Sequence, residues 1–322
     1  MAEPRSAVHP WRRRIRLPRR GRVVGACAVL TAFLLTFHRA APNTPGRIGS
    51  LLETFLPWLG LAVPVLLVVA LLRRSVTALV ALLLPTAAWL GQFGPLLLPA
   101  GDESHDIVAV QHNVSDANTD PAGTARALLR ERPDIVALEE VTPEALPVYA
   151  ESLAARCSHH AVVGTVGLWS AHPIEDVRHV DIRPRGIGPG WNRGMRATVR
   201  TPEGDVAVYV AHLPSVRLGV PHGLGSARRD ESAALLAEAI AAEEVDRVIL
   251  LGDLNATVDD RGLDPLGPHL RVAGRGMAFS WPAAFPVARI DQIMARSATV
   301  VDVRSLPATG SDHLPVAARI RL

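Results

Sequence analysis

The sequence predicts a chain in two parts, an apolar helical N-terminal region followed by an α/β (α+β) domain. Three observations carry this. Apolar runs of 15 to 25 residues crowd positions 23–98, whereas after residue 101 short runs rich in Val, Ile and Ala alternate with helix-like segments. The charge also changes sign: residues 1–100 hold twelve Arg against Glu3 and Glu53, a balance of +10, and residues 101–322 hold 22 Arg against 29 acids, a balance of −7. The net +3 of the whole chain describes neither part.

All 34 basic residues are Arg, which excludes a phosphate-loop lysine, a Schiff-base lysine and a Ser–Lys hydrolase. Cys27 and Cys157 are isolated, so no disulfide framework and no cysteine zinc site is available.

The N-terminal stretches are Val23–Phe37, Ile48–Leu72 and Val76–Leu98. The second and third are long enough to cross about 30 Å of hydrocarbon at about 1.5 Å per residue. The first follows eight Arg within residues 1–22 and reads either as a span or as a signal-peptide core ahead of Ala40 and Ala41. With the Arg-rich start held in the cytoplasm, three crossings leave residue 101 outside, and cleavage followed by two crossings does the same. The expected organisation is an Arg-rich cytoplasmic segment at 1–22, a membrane anchor of about three transmembrane helices at 23–100, and a catalytic domain at 101–322 outside a multi-pass cell-membrane protein. Glu53 is expected near the membrane interface.

In the second part the strand candidates are Ile107–Val114, Asp134–Val141, Ala161–Val166, Met195–Thr201, Val206–Leu213, Val248–Asn255 and Val316–Leu322. Helices are expected at Pro121–Arg132, Pro143–Arg156 and Ser226–Glu244, the first two capped by Asp120 and Thr142. The polar residues that end these strands carry the chemistry: Asn113, Glu139 and Glu140, His212, Asp253 and Asn255, then Asp291, Asp312 and His313. Carboxylates and amide oxygens at rigid strand ends are ligands for hard divalent cations such as Mg²⁺ or Mn²⁺. Singly, each such Asp or Asn reads as a turn former or a helix cap; the ordered set points to phosphate chemistry. Ser311, Asp312 and His313 are too close in sequence to form a nucleophile–base–orienter chain.

That ordered set resembles the endonuclease/exonuclease/phosphatase family over residues 105–322. Its landmarks are Gln111-His112-Asn113, Glu140-Val141, Ala211-His212, Gly252-Asp253-Leu254-Asn255-Ala256, Arg289-Ile290-Asp291 and Ser311-Asp312-His313-Leu314-Pro315-Val316. The resemblance implies a two-sheet β-sandwich flanked by helices and a divalent-metal-dependent phosphatase or phosphodiesterase. It makes Glu140 the principal metal carboxylate, with Asn113 beside the metal and Asp312 at or behind it. It has Asp253 and Asn255 hold the attacking water, His212 donate to a phosphoryl oxygen, and His313 face the scissile phosphate, oriented by Asp291. Whether Asp253 or His313 takes the water proton stays open. Glu139 stands where Gln is common and is expected to point away, and Gln292 stands where an aromatic residue or His is common.

The apolar region ahead of this domain is similar to the membrane-anchored, VanJ-like branch of that family, associated with glycopeptide antibiotic resistance. That similarity implies the bilayer as a partner and a lipid diphosphate of the cell wall, such as undecaprenyl diphosphate, as substrate. The −7 balance and the scattered aromatics make nucleic acid the weaker partner. The alternatives are a membrane-tethered nuclease or other phosphodiesterase, and a non-catalytic lipid- or glycopeptide-binding protein.

Overall fold

The computed structural model describes residues 21–44, 46–98, 101, 103–219 and 223–322. The Arg-rich segment at 1–22 lies outside the described residues except for its last two. The helices are α1 (Arg22–Thr36), α2 (Ile48–Thr54), α3 (Ala62–Leu72), α4 (Val76–Ala81), α5 (Leu83–Phe93), α6 (Pro121–Leu129), α7 (Leu146–Leu153) and α8 (Ala227–Ala241). The chain forms two compact units: the described residues up to Thr36 with Trp58–Trp89, and Phe37–Pro57 with Leu90–Leu322.

In the first unit α1, α3 and α4 meet through Val24, Ala28, Ala70, Ala78 and Leu82. The small side chains of Ala28, Ala70 and Ala78 let the helices approach closely. Ser75 caps α4 by accepting from the Ala78 amide. The outer faces are apolar, with Leu30, Phe33, Val65, Val68, Leu72, Val76, Val80 and Leu83 exposed. Among the described residues, Val76–Phe93 is long and apolar enough to cross a membrane.

The second apolar stretch is not one continuous span, contrary to the sequence expectation. Helix α2 ends at Thr54, ahead of Pro57, and belongs to the second unit. Glu53 is fully buried there, its carboxylate held by the Arg261 guanidinium and backbone amide.

The second unit is built on two six-stranded mixed sheets and a short hairpin. In chain order the strands are β1 (Ile107–Asn113), β2 (Ile135–Glu139), β3 (His159–Val163), β4 (Val166–Ser170), β5 (Ile174–His179), β6 (Gly194–Thr201), β7 (Gly204–Ala211), β8 (Leu218–Gly219), β9 (Gly223–Leu224), β10 (Val248–Asp253), β11 (Arg271–Val272), β12 (Asp291–Arg296), β13 (Thr299–Ser305) and β14 (Val316–Arg321). One sheet runs β13-β14-β1-β2-β4-β3 and the other β11-β12-β10-β7-β6-β5. Each has a parallel pair at its centre, β1 with β2 and β10 with β7.

Alternation fixes what each strand buries. Ile107, Ala109, Ile135, Ala137, Val208, Val210, Ile249 and Leu251 fill the space between the sheets. Val110, Val136 and Leu138 face outward under α6 and α7, and Tyr209, Val248 and Leu250 face outward under α8. Each large apolar side chain so buried contributes about 1.5–3 kcal/mol. Asp120 caps α6 as expected, accepting from the Gly123 amide at 2.8 Å.

The candidate strand Ala161–Val166 is instead a hairpin of β3 and β4 turning at Gly164, whose φ of +60° suits glycine. The edge strand β5, with its exposed polar residues, and the strands β12 and β13 escape the apolar-run pattern.

Candidate active site

The expected site residues leave the strands at one end of the sandwich. Asn113 ends β1, Glu140 follows β2, His212 follows β7, Asp253 ends β10, and Asp291 opens β12 directly opposite Asp253. Asn255 lies two residues beyond Asp253, and His313 lies in the turn before β14. The apolar strands beneath are fully buried, so their ends are held rigidly. Gly252 is required here, since a Cβ would sit 1.9 Å from the Ala211 carbonyl oxygen of the neighbouring strand. Glu140 and Asn255 both adopt left-handed backbone conformations, φ +59° and +49°, which mark these turns as constrained.

The side chains converge. The Asn113 amide nitrogen donates to Glu140 Oε1 at 3.2 Å and to Asp253 Oδ2 at 3.1 Å. Asn255 donates to Asp253 twice, from its backbone amide at 2.9 Å and its side chain at 3.2 Å. His212 Nε2 lies 3.6 Å from Asp253 and 3.8 Å from Glu140. His313 Nδ1 pairs with Asp291 Oδ2 at 2.8 Å and turns Nε2 toward Asp253 at 3.8 Å. Ser311 is not a nucleophile: its hydroxyl donates to the Asn113 carbonyl and accepts from the His313 amide.

Burial and charge set the protonation states. Burial disfavours the His313 cation, but the charges of Asp291 and Asp253 and the bond to Asp291 outweigh it, raising His313 to about 10. Asp291 is correspondingly lowered, burial being overcome by His313 and by bonds from Ser280 and Gln111. Asp253 is raised, chiefly by burial. His212 falls to about 3 through burial and the neighbouring Arg193, so it is a neutral imidazole.

Glu139 does not point away. It lies fully buried between the sheets, accepting from Gln111 at 2.7 Å, and Gln111 also donates to Asp291 at 3.0 Å. Burial and then the Asp291 and Asp253 charges raise its carboxyl well above the usual range. Gln292 is a packing residue whose amide donates to the Ala256 and Arg289 carbonyls.

Among the described residues, Asp253, Asp291 and His313 form a group whose metal-ligand atoms all lie within 4.8 Å of one another. This is not the Asn113, Glu140 and Asp312 set that the resemblance assigns. Asp291 already spends both oxygens on Gln111 and His313. Glu140 is the carboxylate that reaches solvent, its side chain 26% exposed, while Asp312 is exposed and its side chain has no hydrogen bond among the described residues. The donors Asn113 and Glu140, with more carboxylates than cations around them, fit a hard divalent ion.

Three contributors carried no assigned role in the sequence. Arg193 places Nη1 3.2 and 3.3 Å from the two ring nitrogens of His212. Buried Arg229 donates to the Asn255 carbonyl at 2.9 Å and pairs with Asp260 and Asp230. Helix α2 walls an apolar slot of about 240 Å³ that reaches Asn255, with Leu51, Phe55, Val216, Trp281 and Ile290 along it. Arg196, by contrast, is spent on Glu243 and Asp176, and Trp169 is a core residue stacked on His160.

These elements define a metal-dependent phosphoester hydrolase. Residues 85–313 match the model of the Endonuclease/Exonuclease/phosphatase family, and the chain belongs to that family. No curated protein sequence matches it. Among solved structures it is similar to a beta toxin mutant of Staphylococcus aureus with bound magnesium ions (16% identity, TM-score 0.52, covering 66% of this chain and 99% of that one). It is similar to a mannosyl-6-phosphatase of Bacteroides thetaiotaomicron (16%, 0.54, 67% and 100%) and to sphingomyelinase C of Streptomyces griseocarneus (17%, 0.50, 67% and 99%). At these identities the likeness establishes the shared fold.

Proposed function

We propose that the protein hydrolyses a lipid-borne phosphate ester or anhydride at the outer face of the cell membrane. The substrate is a lipid diphosphate of the undecaprenyl type, the metal is Mg²⁺, and the physiological setting is glycopeptide resistance. The observation that carries the lipid reading is the apolar slot ending at Asn255. Of its polar lining residues, Arg229 and Asp260 are paired with each other and Thr54 donates to the Ser50 carbonyl, so beyond Asn255 what remains for a ligand is hydrocarbon surface beside the phosphate chemistry.

Charge placement supports the three-crossing arrangement. Segment 37–57 packs with the catalytic unit, so both lie on one side of the bilayer. Its arginines are neutralised there, Arg39 by Asp264 and Arg47 by Asp230. Arg73 and Arg74, between α3 and α4, then sit on the cytoplasmic side, in keeping with the positive-inside rule. The exposed apolar faces of the helical unit are the surface that lipid would cover.

The chain's own residues divide the reaction as follows. Asp253 and Asn255 hold the attacking water, and Asp253, its basicity raised by burial, takes the proton. His212 donates from a ring nitrogen to a non-bridging phosphoryl oxygen. His313, kept an imidazolium by Asp291, presents positive charge to the scissile phosphate and is thereby unsuited to be the base. Asn113 and Glu140, with Asp312 at the rim, would hold the metal, which when bound supplies charge that offsets the phosphate's.

The test uses the full chain in detergent with Mg²⁺ on undecaprenyl diphosphate and on plasmid DNA. Chelator-sensitive phosphate release from the lipid, lost in Asp253→Ala, is expected. Preferential DNA degradation would replace the lipid reading with the nuclease, and lipid binding without turnover would replace it with the non-catalytic binder.

A further inference from the structure

Beside Arg193, which touches His212, lies an open cleft of about 630 Å³, lined by Trp191, Arg193, Ser215, Arg217 and Arg228 among other residues. No carboxylate stands among its described lining residues. Neighbouring arginines are committed: Arg183 to Asp181, Arg185 to Glu231, and Arg229 to Asp260 and Asp230. Arg217 and Arg228 are exposed, and their guanidinium groups have no ion pair or hydrogen bond among the described residues. In a catalytic half that carries a net −7, this cleft gathers three cations and no compensating acid.

The cleft is joined to the reaction centre by Arg193. That guanidinium stacks over Trp191, 5.4 Å from the ring centroid, and touches His212, which in turn lies 3.6 Å from Asp253. A group seated in this cleft therefore shares Arg193 with whatever His212 holds. The planar, multi-donor guanidinium suits phosphate oxygens.

We propose that this arginine cleft binds a second phosphate, adjacent to the scissile one on the same substrate molecule. The inference rests on the lipid-diphosphate reading above and assigns the terminal phosphate its place. The apolar slot reaches the site at Asn255 and the arginine cleft reaches it through Arg193, which touches His212, so chain and terminal phosphate have separate seats beside the attacked phosphorus. Water adds to that phosphorus, the bridging P–O bond breaks, and one proton is released. The products are the lipid monophosphate and inorganic phosphate, the latter left in the cleft.

The experiment compares farnesyl diphosphate with farnesyl monophosphate as substrates of the full chain in detergent with Mg²⁺, for wild type and for Arg217→Gln/Arg228→Gln. The expected result is a fall of about tenfold or more in the kcat/KM ratio of diphosphate to monophosphate, the scale of lost hydrogen bonds to charged groups. An unchanged ratio overturns the proposal. Binding of methylenediphosphonate and of inorganic phosphate, followed by calorimetry, tests the cleft without turnover. Weaker methylenediphosphonate binding in the double variant supports the second-phosphate site even if neither farnesyl ester is cleaved, a result that would remove only the lipid reading. Loss confined to inorganic phosphate, with methylenediphosphonate unaffected, overturns the substrate role.

Discussion

Two buried carboxylates in the catalytic unit are each held by a cation, and they are held differently. Glu53 on α2 receives four donors: the Arg261 amide, Nε and Nη2, and His38 Nδ1, at 2.7–3.1 Å. Burial alone would raise its carboxyl, but these bonds bring it below the ordinary value. Asp291 has its His313 and Gln111 bonds but shares its surroundings with buried Glu139 and Asp253. The first pair is saturated and serves as a fastener. The second is one cation among several acids, which leaves it able to respond to an incoming phosphate and a divalent ion.

The largest expected effect tests the second pair and its partner. Asp253→Asn and His313→Ala each lower kcat by about 10³-fold with the circular dichroism spectrum retained, on the scale of lost acid–base and charge assistance; chelation of the wild type removes activity as well. Asp291→Asn follows, with a fall of about 10²-fold in kcat and a changed pH–rate profile, because His313 loses the partner that keeps it charged. An unaltered profile would reduce Asp291 to a packing role.

Glu53→Gln sharpens the contrast from the other side. It leaves Arg261 without its counter-charge and costs roughly 3 kcal/mol of unfolding free energy, read by denaturant titration, while kcat on a short-chain substrate changes less than it does in Asp291→Asn. Leu51→Trp fills the slot wall and lowers the preference for long-chain over short-chain phosphates about tenfold in kcat/KM; retained preference would remove the slot from substrate binding.

The smallest effect concerns a third pair, remote from the site. Burial opposes ionisation of Glu243, but bonds from Arg196, the Val245 amide and Tyr209 hold it at about 2, against an ordinary 4.5. A depressed carboxyl stabilises the fold above pH 4.5, and that contribution is lost as pH falls through about 2. Glu243→Gln is expected to flatten the acid limb of the stability–pH curve across that window.

Much of the site was legible because its residues follow apolar runs that can only be buried strands. Asn113, Glu140, His212 and Asp253 were found as strand-end polar groups, and the structure brings them together. The orientation of Glu139 was not legible: a strand's alternation says that neighbours face opposite ways, but it does not say which face meets the second sheet. Arg193 and Arg229 carried no signal beyond being arginines, since an arginine's role depends on which carboxylates the fold leaves within reach. Asp312 shows the converse, standing beside His313 in the family string yet remaining exposed.

By itself the sequence determined the division into an apolar helical part and an α/β part, the strands of the central pairs, and the order of the site residues, because period and burial are local properties of a chain. Tertiary structure alone decided that α2 leaves the apolar stretch to wall the active site, that Glu53 is a buried fastener, and that three arginines face one cleft. Each of these depends on a partner some 20 to more than 200 residues away, such as Arg261 for Glu53 or His212 for Arg193, and such pairings are fixed by packing between sheets and loops that no local pattern encodes.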